Sequence, residues 1–129
     1  GNVSKMLTSI SGSSSFFNGS IISYTNQSKS ELLEVDEQNI EKYGAVSQQV
    51  VEQMAANVRL KFNSDFGIST SGIAGPSGGT TEKPVGTVWI AIAYEEGIIS
   101  EKFLFGKNRK RIIGKAVNKA LEMLFKQLI

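Results

Sequence analysis

The sequence predicts an α/β domain in which helices cover a mixed sheet, and three observations carry that expectation. Stretches with helical apolar spacing alternate with β-branched, strand-like runs along the whole chain. One pair of runs is separated only by Glu95, Glu96 and Gly97, which reads as an antiparallel hairpin. Finally, 129 residues with 40% apolar and 20% charged content suffice for one ordinary globular core, so a single domain over residues 1–129 is expected. No internal repeat or linker interrupts it.

Taken in order, Val3, Met6, Leu7 and Ile10 form the stripe of an amphipathic helix. No capping residue or acidic first turn precedes it, so the sequence is expected to open inside a helix. Gly12 and the serine run end that helix. Residues 19–26, GSIISYTN, are β-branched and aromatic and predict a strand. Short helices are expected at 27–33 and 36–43. Gly44 then breaks the chain, and Ser47 is placed to cap a helix running to about Asn63, with Val50, Val51, Met54, Ala55, Val58 and Phe62 on one face. Residues 65–71 predict a short buried strand, 86–94 a longer one, and 98–105 its hairpin partner. Ile112, Ile113, Ala116, Val117, Ala120, Leu121, Leu124, Phe125 and Leu128 predict a long final helix docked on the sheet.

Composition narrows the chemistry. Neither Cys nor His is present, so disulfides, thiolate nucleophiles, imidazole bases and thiolate or imidazole metal ligands are all excluded. Proton transfer therefore falls to Lys, Tyr or a carboxylate. A net charge of +2 gives no argument for nucleic acid, and no run of eighteen apolar residues, signal peptide or lipidation motif is seen. The expectation is a cytoplasmic protein without metal, cofactor, nucleic-acid or membrane partner.

The stretch from Gly72 to Gly86 holds five glycines and both prolines of the chain. Glycines let successive backbone N–H groups converge on one point, and such a nest at the carboxyl end of a strand suits phosphate oxygens. The loop is neither a P-loop nor G-x-G-x-x-G, so a rigid connection between strands is the competing reading.

The runs SGSSSFFNGSIISYTNQSK, GAVS and TSGIAGPSGGTTEKPVGTVWIAIA, with FGKNR before the last helix, resemble the CinA C-terminal domain family over nearly the whole chain. The resemblance implies a three-layer α/β/α sandwich, a dimer, and an amidohydrolase converting nicotinamide mononucleotide to nicotinic acid mononucleotide and ammonia. In that family a serine in an E-S-C-T-G-G motif attacks the carboxamide. Gly1 aligns with the second glycine of the motif, so the nucleophile would lie upstream of residue 1 and the 129 residues alone would be inactive. Tyr24 and Lys29 match the family's Y-S-N-x-x-K pattern, which assigns the base to Lys29. That role requires its pKa to fall from about 10.4 toward about 7 to 8, a differential of roughly 4 kcal/mol. Ser71 stands where the family usually has Thr and keeps the hydroxyl. The oxyanion donors that the resemblance implies are backbone N–H groups near the start of the nucleophile's helix, with the Ser71–Gly72 turn a further candidate. Gly72, Gly75, Gly78, Gly79, Lys83 and Arg109 are the expected substrate-binding residues, Arg109 matching the closing G-x-x-R segment. The alternative function is a nucleotide-binding or interaction domain without turnover.

Overall fold

A computed structural model describes residues 1–129. Its elements are α1 (Asn2–Thr8), a 3-10 turn (Ser13–Ser15), α2 (Asn26–Leu33), α3 (Glu37–Tyr43), α4 (Gln48–Phe62), β1 (Gly67–Gly72), β2 (Thr87–Tyr94), β3 (Gly97–Leu104) and α5 (Arg109–Leu128). The four helices after α1 begin where the sequence supplies caps. Thr25 closes a capping box with Ser28, Asp36 accepts from the Gln38 N–H, Ser47 from that of Val50 and Asn108 from that of Arg111.

The three strands form one sheet in the order β1-β2-β3, and both pairings are antiparallel. The expected mixed sheet is thus corrected to an antiparallel one. The strand expected over residues 19–26 is also absent from it. There residues 19, 21 and 23 are more buried than 20, 22 and 24, the alternation of a strand, but the segment joins no ladder. Its last residue, Asn26, belongs instead to the first turn of α2 behind the Thr25 cap.

Layering follows from the two-residue period of β2. Val88, Ile90 and Ile92 face α5 and pack with Ile112, Ala120 and Met123. Ala91 and Ala93 face α4 and pack with Val51 and Ala55. Helices on both faces make the three-layer α/β/α sandwich. Outside α4, Leu33 and Val35 close a further cluster with Val50 and Met54, which seats α2 on the helix layer. The small residues of the α4 face permit close approach: a Cβ on Gly67 would lie 2.3 Å from the Ala55 carbonyl oxygen. Ser69 Oγ donates to the Val51 carbonyl at 2.5 Å across the same seam.

On α5 the buried residues are Ile112, Val117, Ala120 and Met123, whereas Phe125 and Leu128, expected on the docked face, are each 59% exposed. The helix outruns the sheet it covers. No helix is long and apolar enough to cross a membrane.

Candidate functional site

The site begins at Lys29. Its place in the first half of the short α2 lets it reach back to the segment that precedes the helix, where Nζ donates to the Ser23 carbonyl at 2.9 Å. The side chain is only 7% exposed and has no carboxylate partner. Burial without a counter-charge disfavours the ammonium form and pushes the Lys29 pKa down from its ordinary 10.5. A neutral amine held by one N–H to a carbonyl retains a lone pair for a proton. The chain start reaches the same segment: a Cβ on Gly1 would lie 3.0 Å from Cδ1 of Ile22, the residue before Ser23.

Tyr24, by contrast, is 80% exposed. Its side chain stands in solvent and makes no hydrogen bond to the domain.

Ser71 and Gly72 end β1. The inward period of Gly67 and Ser69 puts Ser71 on the α4 face of the sheet. Ile73 N–H bonds the Thr87 carbonyl, so the alternation of an antiparallel ladder turns the Gly72 N–H to the open edge of β1. It is free there to act as a donor.

Residues 73–86 follow as the glycine loop. Its base is closed by Ile73 N–H to Thr87 O and Gly86 N–H to Ile73 O, at 2.9 and 2.8 Å. Thr80 N–H bonds the Lys83 carbonyl at 2.9 Å, and Lys83 N–H returns to Thr80 Oγ1 at 3.0 Å. The loop bends around Val85, against which any Cβ on Gly75 or Gly79 would collide, at 2.5 Å from Cγ1 and 2.7 Å from the backbone nitrogen respectively. The backbone N–H groups of Gly75, Ser77, Gly78 and Gly79 bond no protein acceptor. Ser77, Gly78 and Gly79 border a hollow of about 500 Å³ that is also lined by Pro76, Val85 and Lys107, among others.

Two cations assigned to substrate lie instead on backbone carbonyls. Arg109 Nη1 donates to Gly75 O at 2.7 Å, tying the loop to the start of α5 while leaving the rest of the guanidinium fork free. Lys83 Nζ donates to Tyr43 O, tying the loop to the corner between α3 and α4. Lys107, which the sequence offers only as one more charge near the last helix, is the cation that lines the hollow. A lysine two residues before a helix has no motif, and only the folded loop reveals its place. No group of three His, Cys, Asp or Glu side chains comes together that would hold a metal ion.

The model of the CinA C-terminal domain family matches residues 1–128. The chain belongs to that family. Among CinA-type relatives, it is 46% identical over 129 residues to a CinA-like protein of Flavobacterium psychrophilum, a match covering 100% of this chain and 31% of that protein. A putative competence-damage inducible protein of Thermoanaerobacter sp. (strain X514) is 42% identical over 129 residues, again 100% of this chain and 31% of the relative. The chain thus spans about a third of the length of the curated relatives it matches. Of solved structures, the competence/damage inducible protein CihA from Agrobacterium tumefaciens superposes with a TM-score of 0.95 at 36% identity, covering 98% of this chain and 78% of that one. A CinA superfamily protein from Enterobacter cloacae gives 0.95 at 29% identity, covering 100% and 76%. The fold is therefore the CinA fold, and the chain is a competence/damage-inducible-type C-terminal domain.

Proposed function

We propose that this domain hydrolyses the carboxamide of nicotinamide mononucleotide, releasing ammonia and nicotinic acid mononucleotide. One observation supports this most: a lysine buried without a counter-charge, its amine oriented by a carbonyl of the segment that Gly1 also touches. In the proposed route a serine ahead of Gly1 in the full-length protein gives its proton to the Lys29 amine and attacks the carboxamide carbon. The tetrahedral oxyanion takes hydrogen bonds from backbone donors, for which the outward Gly72 N–H qualifies. Collapse breaks the C–N bond, the lysine proton leaves with ammonia, and an acyl-serine ester remains. Water, deprotonated by the regenerated amine, cleaves that ester and restores the serine. The free amides of Gly75, Ser77, Gly78 and Gly79, with Lys107 at the rim, suit the nucleotide's phosphate. The reading places this chemistry in a cytoplasmic homodimer.

Ammonia release from nicotinamide mononucleotide by the full-length protein is the test, with Lys29→Ala expected to lower kcat at least about a thousandfold, as loss of a general base does. Full activity in that variant refutes the lysine assignment. Calorimetric binding of the nucleotide without any ammonia release from the full-length protein would favour a binding domain without turnover.

A further inference from the structure

Lys83 lies in the glycine loop yet directs its charge away from the hollow. Its ammonium donates to the carbonyl of Tyr43, the last residue of α3. Gly44, next in the chain, has φ +80°, and a Cβ there would approach Lys83 Nζ to 2.9 Å. The corner accepts the lysine because that position carries no side chain. It is itself fastened into α4: Ser47 Oγ donates to the Gly44 carbonyl at 2.7 Å and accepts from the Val50 N–H at 3.3 Å. The Gly44 N–H bonds Ile40 O at 2.9 Å, which closes α3. A continuous set of hydrogen bonds therefore runs from the loop through the α3–α4 corner to the cap of the helix covering the sheet.

The opposite flank of the loop is held by Arg109 on Gly75 O. Between these two attachments lie Ser77, Gly78 and Gly79, whose amides are free. Without its attachments a glycine-rich segment gains backbone freedom, and its amides no longer converge.

We infer that Lys83 is a positioning residue: by binding the Tyr43 carbonyl it straps the glycine loop to the α3–α4 corner and holds the free loop amides ready for an anionic ligand. The strap itself stands on geometry alone; its consequence for nicotinamide mononucleotide rests on the function proposed above.

Two readouts on the full-length protein test it. In ligand-free protein, Lys83→Met keeps the stem and removes the donor. Hydrogen exchange of the bonded loop amides of Thr80 and Gly86 is expected to accelerate about tenfold, the scale set by loss of a charge-assisted hydrogen bond. Amides 88–93 of β2 should stay protected and report an intact fold. Lys83→Arg, which restores a donor, is expected to return exchange to within about threefold of the native rate. In steady-state assays, Lys83→Met should raise KM for nicotinamide mononucleotide about tenfold and leave kcat within about twofold, because the strap prepares binding rather than chemistry. Unchanged loop exchange in ligand-free Lys83→Met overturns the strap, and with a raised KM it would mean that the ammonium meets the ligand directly. A kcat loss at constant KM also overturns it. Should the native protein show no ammonia release, the exchange measurement still decides for or against the strap while the proposed substrate falls.

Discussion

The two faces of the sheet are built from opposite materials. Toward α5 the central strand presents Val88, Ile90 and Ile92, and the helix answers with Ile112, Ala120 and Met123. Toward α4 it presents Ala91 and Ala93 against Val51 and Ala55, with Gly67 under the helix backbone. The thick face gains its stability from apolar volume. The thin face gains from short distance and permits a side-chain-to-backbone bond, Ser69 to Val51, that a thicker layer would separate. Ser71, Lys29 and the Lys83 attachment all belong to the thin side, where α4 and the elements seated on it are held closely. One sheet thus supplies cohesion on one side and close positioning on the other.

The comparison breaks if the faces respond alike to changes of volume. Ile90→Ala removes buried volume from the thick face and is expected to cost about 4 kcal/mol, read from denaturant unfolding. Ala91→Leu, one residue along on the thin face, adds volume where none fits and should cost about 2 to 3 kcal/mol by overpacking. A tolerated Ala91→Leu would show that the α4 layer yields. The smallest effect concerns the buried amine. Because its pKa in the folded protein lies below 10.5, the unfolded chain binds more protons between those two values, and stability rises with pH through that window. Lys29→Met should abolish this rise. Its stability advantage over the native protein should therefore be greatest at low pH and shrink toward pH 10.5. Parallel stability-pH curves for the two proteins would contradict the burial of an uncompensated ammonium.

Much of the scaffold was legible because it rests on local chemistry. Ser47, the apolar spacing after it and Asn63 bracket α4 to within a residue of its Gln48–Phe62 span, and Asn63 ends it in the left-handed conformation that asparagine tolerates. The hairpin is found one residue from its expected place, since Gly97 opens β3 rather than closing the turn. The failure at residues 19–26 is instructive. Alternation there is real, but a strand is completed by a partner, and β-branched residues cannot announce whether one is present. At the site, the loop's glycines marked the irregular connection that forms the hollow, and the resemblance singled out Lys29, which the fold buries. The destinations of Lys83 and Arg109 were not legible, because both are backbone carbonyls, acceptors that every residue carries and no motif marks.

The central strand reaches its two neighbours by very different routes. A two-residue turn joins it to β3, whereas residues 73–86 separate it from β1. Closing a connection of fourteen residues rather than two costs about 2 kcal/mol more in chain entropy. The β2–β3 pair should accordingly assemble early in folding, with the β1 seam zipping afterwards. Residues 73–86 then border the last part of the sheet to be sealed and the first to open in native fluctuations, so the ligand proposed for them would enter at the most readily renewed joint of the domain.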